Sequence, residues 1–252
     1  MAISRRNLLI AGGIGAVAVA ATATAITLEQ ASVRQNTPTL LEPPMLRSKN
    51  GLLDMTLTAS YVERTVDGKN VRMMAYNGSV PGPTIQVQPG DKLRIKFVNQ
   101  LGEMTNLHTH GLHVSPEGNS DNAMVMIHDG ETFQYEYEIP ADHPIGTFWY
   151  HPHHHGQVAN QVYAGLYGAL IVAAVGEIAD RTLVISDTSF ATDGSVAGAN
   201  MMSIMMGREG DVLMVNGATQ PWGTMDRTSE RWRIINACTS RNLSLTVAGG
   251  KA

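Results

Sequence analysis

The sequence predicts an all-β fold, a β-sandwich, and three observations carry that prediction. Short runs alternate apolar and polar residues, as half-buried strands do. Asn-Gly, Pro-Gly and Gly-Asp steps separate the runs at close intervals. After the first 30 residues, no segment carries a long helical period.

In chain order, residues 1–30 read as a signal segment. Arg5 and Arg6 form a paired basic start, Leu8 to Ala20 is a short apolar stretch, and Ala21 to Ala25 offers small residues for cleavage. The Ser4-Arg5-Arg6-Asn7-Leu8-Leu9 run resembles a twin-arginine export signal, which implies a periplasmic, cell-envelope or extracellular destination. Residues 31–49 read as a linker. Strands are then expected at Leu52–Val62, Val71–Tyr76, Thr84–Val87, Lys92–Asn99, Phe133–Ile139, Thr147–His151 and Gly168–Val172. Asn77-Gly78, Pro81-Gly82-Pro83 and Pro89-Gly90-Asp91 are the turns between them.

Composition narrows the function. Of 252 residues, 43% are apolar and 16% charged, enough to build a packed core. The net charge of −4 has no basic run within it, which argues against a nucleic-acid partner. A membrane is expected only at the signal segment. Cys238 is the single cysteine, so neither an internal disulfide nor a zinc ribbon can form.

The chain partly repeats itself. Asn77-Gly78 lies 139 residues before Asn216-Gly217, and Arg94-Ile95 lies 139 residues before Arg233-Ile234. A duplicated unit follows: one over residues 50–175, and a partial one over 176–252. In this register "NLHTH", Asn106–His110, falls on "NLSLT", Asn242–Thr246, so the second unit lacks the histidines. The second unit is expected to need more chain than residue 252 allows, leaving open strand edges.

All nine histidines lie between His108 and His155. In a strand, residues i and i+2 share a face. His108 and His110 therefore project together, as do His151 and His153, and Pro152 marks a strand end. Two such pairs facing each other supply four imidazoles, a donor set that suits copper, zinc, iron and nickel. Two other H-x-H patterns fit poorly. In the metallo-β-lactamase pattern the aspartate position is Leu112, and in the cupin pattern Glu117 stands too far from His110.

"YNGSVPGPTIQVQPGDKLRIKFVNQL", "NLHTHGLHV" and "GTFWYHPHHHGQVANQVYAGLYGALIV" together resemble the first domain of multicopper oxidases, laccase-like and copper-tolerance enzymes among them. "LVISD", "LMVNG" and "RWRIINACTSR" resemble the start of that family's second domain. The resemblance implies a cupredoxin-like Greek-key β-sandwich, one complete domain and a partial second one. It implies copper held by His108 at a type 2 site and by His110, His151 and His153 at a paired type 3 site. That is half the ligand set of a trinuclear cluster. It implies His155 as a residue behind the ligands, with His113, His128 and His143 structural or at the surface. For a complete enzyme the partners are O2 and a reducing substrate, phenol-like or a metal ion. The chain departs from the family in having no His-Cys-His, the run that serves the type 1 copper, so these 252 residues are expected to be inactive alone. The alternative is an exported copper-binding protein without catalysis. Cys238 is expected to be a small packing residue in a loop. The cluster Met201–Met206 reads either as a Cu(I) recruitment site or as a flexible apolar loop or packing element.

Overall fold

A computed structural model of the protein describes residues 38–173, 180–224 and 230–246. The expected signal segment lies outside them. Twelve strands and two short helices follow in order among the described residues. The strands are β1 Met45–Arg47, β2 Leu52–Val66, β3 Lys69–Tyr76, β4 Gly82–Val87, β5 Lys92–Gln100, β6 His108–His110, β7 Thr132–Glu138 and β8 Gly146–His151. Helix α1, Val158–Ala164, precedes β9, Gly168–Val172, and β10, Asp180–Thr188. Helix α2, Met201–Met206, precedes β11, Val212–Val215, and β12, Arg231–Asn236.

Two sheets make the sandwich, ordered β3-β2-β5-β7 and β1-β4-β9-β8-β6. Alternation decides which side chains meet between them. Leu53, Met55, Leu57 and Ala59 of β2 point inward, as do Leu93, Ile95 and Phe97 of β5, Tyr135 and Tyr137 of β7, and Leu170 and Val172 of β9. Tyr150 of β8 reaches across and donates to the Pro83 carbonyl at 2.7 Å. Its ring lies against Gly168, where an added Cβ would come within 2.2 Å of Tyr150, so this position requires glycine.

The seven expected strands all form, with ends displaced by a few residues. The linker needs correction. Met45–Arg47, expected within it, is β1 and pairs in parallel with β4 through Met45↔Thr84. Three residues after Pro43-Pro44 are too few to show an alternation, so pairing rather than pattern makes this strand.

The third sheet, β11-β10-β12, repeats three strands of the first. Ala59 pairs with Tyr76 and Asn99; Ile185 pairs with Val215 and Asn236 in the same senses. The Asn-Gly turns repeat in detail. Asn77 Oδ1 accepts from the Thr58 N–H at 2.7 Å, and Asn216 Oδ1 from the Val184 N–H at 2.8 Å. Asn77 Nδ2 donates to the Thr56 carbonyl, and Asn216 Nδ2 to the Thr182 carbonyl, both at 2.9 Å. Both asparagines adopt left-handed backbone, φ 51° and 49°.

The Arg-Ile match is overturned. Arg94 pairs with Asp54 and Arg233 with Thr182, which stands where Thr56 does, so Arg94 corresponds to Arg231 and not to Arg233. The slip is two residues. A two-residue slip keeps every side chain on its face, so the apolar pattern could not reveal it. Residues 241–246, matched in sequence to the His108–His110 strand, form no strand. β6 exists by pairing with β8, and no counterpart of β8 occurs among the described residues.

A second core joins the two parts. Val71, Met73 and Ala75 face away from the sandwich interior and pack, with Val80, Tyr167 and Ala169, against Val184, Met214 and Ile235. Tyr167 Oη donates to Ser186 Oγ at 2.6 Å within this layer.

Candidate metal centre

The site lies at the end of the sheet where β6 pairs with β8. Antiparallel register puts His108 opposite His151 and His110 opposite Trp149. In β8 the alternation divides the residues: Tyr150 enters the core, while Trp149 and His151 share the other face. Pro152 ends the ladder, and His153 follows beyond it.

The four imidazoles converge. Ring centroids of His108 lie 5.6 Å from His110, 5.3 Å from His151 and 5.0 Å from His153. His151 lies 5.7 Å from His110 and 6.3 Å from His153. Within this set, one nitrogen each from His108, His110 and His151 fall within 4.8 Å of one another. His151 Nε2 and His110 Nδ1 are 3.5 Å apart. At that separation both nitrogens can reach a single ion.

Hydrogen bonds choose which nitrogen is free. His108 Nδ1 lies 3.0 Å from Asp121 Oδ2 and 3.1 Å from Oδ1. The carboxylate therefore holds a proton on Nδ1 and leaves Nε2 as a lone-pair donor. His151 Nδ1 faces the Pro152 carbonyl at 2.8 Å, with the same consequence. Burial pushes the His151 imidazole down to about 4; the Pro152 bond opposes that, and His108, His110 and His153 add to it. The His110 value is lowered too, first by burial and then by His108 and His153, against Asp121. Both rings are thus neutral near pH 7, the form that ligates metal. The set is all nitrogen, and the residues fit a copper ion.

Sequence reasoning missed three supports. Asp121 orients His108 and also accepts from the Thr109 N–H at 2.8 Å. Trp149 stacks on His151 at 4.1 Å between centroids. Asn106 accepts from the His153 N–H at 2.6 Å. Asp121 stands in an irregular loop with no spacing signal, whereas Asn106 is the first residue of the quoted "NLHTH".

The other histidines separate from this group. His143 is buried, with Nδ1 on the Pro144 carbonyl and Nε2 accepting from the His113 N–H at 3.0 Å. The His113 ring lies tilted against it, 5.0 Å between centroids. His128 is exposed. His155, expected behind the ligands, is exposed, and no ring contact joins it to the four among the described residues. Cys238 is a loop residue whose Sγ approaches the Ile185 carbonyl; burial first, then Asp187, pushes its thiol up to about 12. The methionines stand on α2, a six-residue helix capped by Asn200 and Ser203, with Met201, Met202, Met205 and Met206 all about three-quarters exposed. The loop expected there is a helix, and among the described residues no surface covers its methionines.

A multicopper oxidase family profile matches residues 58–176, spanning both histidine pairs. The chain belongs to the multicopper oxidase family. The multicopper oxidase mco of Staphylococcus haemolyticus is 30% identical over 226 residues, covering 84% of this chain and 49% of that protein. The cell division protein FtsP of Salmonella typhimurium is 31% identical, covering 100% of this chain and 53% of its own length. Among solved structures, the Campylobacter jejuni multicopper oxidase, described as a metallo-oxidase, superposes with a TM-score of 0.70 at 33% identity, over 79% of this chain and 44% of that one. A variant of the Aquifex aeolicus multicopper oxidase McoA gives 0.71 at 29% identity, over 82% and 47%. The chain spans about half the length of the curated relatives it matches.

Proposed function

We propose that this chain holds copper through His108, His110, His151 and His153 and serves as the first half of an exported multicopper oxidase. The carrying observation is the convergence of four rings, two of them with Nδ1 committed to an oxygen and two with lowered basicity. In a complete enzyme, copper held there would receive electrons drawn from a phenol-like or metal-ion substrate at a separate type 1 copper and pass them to O2. The chain's own residues prepare the site. Asp121 fixes the tautomer of His108, the Pro152 carbonyl fixes that of His151, and the Trp149 ring covers one face of His151. We assign His108 to a type 2 position and the other three to a type 3 pair. Residues 1–30 would direct export by the twin-arginine route, residues 50–175 form the copper-bearing unit, and residues from 176 form the repeat without ligands.

A polypeptide of these 252 residues offers half of such a cluster, and its only thiol is protonated and has no neighbouring histidine in sequence. It should therefore bind Cu(II) without oxidase turnover. Equilibrium dialysis against Cu(II), with absorbance and O2 uptake, tests this. Binding that His151→Ala weakens, no intense blue absorption, and O2 uptake equal to free copper are expected. Binding unchanged by His151→Ala removes the assignment. A second reading, an exported protein of the envelope or of copper handling without catalysis, draws support from the FtsP match along the whole chain. A His-Cys-His coded beyond codon 252 would favour the oxidase.

A further inference from the structure

His153 differs from its three companions in what holds it. His108, His110 and His151 are placed by the β6–β8 ladder. His153 lies beyond Pro152, outside any strand, and its side chain is exposed. Its backbone N–H is bonded to one group, Asn106 Oδ1, at 2.6 Å.

Asn106 is fully buried, and both hydrogens of its amide and its oxygen are bonded. Nδ2 donates to the Ala123 carbonyl and to the Val125 carbonyl, both at 3.0 Å. These bonds set the orientation of the amide. Turned over, it would point two N–H groups at a third and its oxygen at two carbonyls. The side chain thus joins three segments: the entry to β6 with His108, the loop carrying Asp121 and Val125, and the turn carrying His153. The loop it grips is also the one that reaches His108 and Thr109 through Asp121.

We infer that Asn106 is the positioning residue for His153. It makes the fourth imidazole part of the group by fixing that residue's backbone against the loop that orients His108. A buried amide with three hydrogen bonds is costly to strand, because each lost partner leaves an unpaired polar group. The arrangement is therefore stiff where the ladder no longer reaches. The copper arm of this inference rests on the proposed function; the positional arm stands on the metal-free protein.

The test uses the full chain in two measurements. In the metal-free protein, nuclear Overhauser contacts between the His108 and His153 rings should be lost in Asn106→Ala, while those between His108 and His151 persist. Asn106→Asp keeps the oxygen that accepts from His153 but sets a second oxygen against the Ala123 and Val125 carbonyls, so it too should lose the His108–His153 contacts. Persistence of those contacts in Asn106→Ala overturns the inference, and so does loss of the His108–His151 contacts, which would mean general collapse. The second measurement is Cu(II) affinity in a double-mutant cycle. Asn106→Ala and His153→Ala should each lower it about 10–100-fold, and the double variant should be no weaker than His153→Ala. Additive losses overturn the inference, because Asn106 would then act elsewhere. Loss of the ring contacts together with unchanged affinity in His153→Ala leaves Asn106 as the positioning residue and removes His153 from the ligands.

Discussion

Two sheets of this protein share one hydrogen-bond register and differ in how far they are covered. In β3-β2-β5, the residues Leu57, Ala59, Met74, Tyr76, Ile95 and Phe97 are all buried in the sandwich core. The pairing register puts Leu183, Ile185, Leu213, Val215, Trp232 and Ile234 at the same six positions of β11-β10-β12. Every one is apolar, yet Leu213, Trp232 and Ile234 are 47%, 44% and 42% exposed. Among the described residues, the difference is the facing sheet. In the sandwich, β1-β4-β9-β8-β6 lies over this surface, and that same sheet with the loop behind it supplies all four converging histidines. One layer is scaffold, the other bears the chemistry, and the repeat preserves the scaffold layer.

The comparison can be broken most sharply by cutting equivalent side chains. Phe97→Ala should cost about 3–5 kcal/mol, whereas Ile234→Ala at the matching open position should cost under about 1 kcal/mol. Urea unfolding of the two variants measures both. Equal losses would mean that the open face is covered in solution.

Next in size is a pH effect confined to the first unit. The His151 imidazole has an ordinary value of 6.5 and stands at about 4 in the fold. The unfolded chain therefore binds its proton first as the medium acidifies. Stability that is present above about pH 6.5 should be lost as pH falls towards 4, by roughly 3 kcal/mol. His151→Leu should flatten that slope in unfolding curves taken between the two pH values. A slope that survives the substitution would assign the effect to other groups.

The smallest effect on stability should come from Trp232→Lys on the open face, within about 0.5 kcal/mol. Its readout is association instead. Light scattering at rising concentration, and binding of a dye that reports apolar surface, should both decline. No change in either would show that this face does not govern self-association.

Much of this was legible beforehand, for definable reasons. β2, β5 and β7 alternate over enough residues for the pattern to speak, and the two H-x-H pairs needed only the strand repeat to be placed on one face. What escaped was set by contacts distant in sequence. β1 exists because β4 offers it an edge. Asp121 and Trp149 acquire their roles only when β6 meets β8. The Arg-Ile repeat misled because a slip of two residues is silent in a period of two. Helix α2 was read as a candidate packing element because methionines are apolar; no partner surface reaches them among the described residues.

Strand β3 is covered on both sides. Met74 and Tyr76 enter the sandwich interior, and Val71, Met73 and Ala75 enter the layer shared with Val184, Met214 and Ile235. The histidine-bearing sandwich is for that reason not a portable cassette. Lifting residues 38–173 out as a graft would strip water-shy surface from β3, Val80 and Tyr167 and leave the Tyr167 hydroxyl without Ser186. Any transplant of the histidine site into another host must carry β10–β12 along, or supply a new wall in their place.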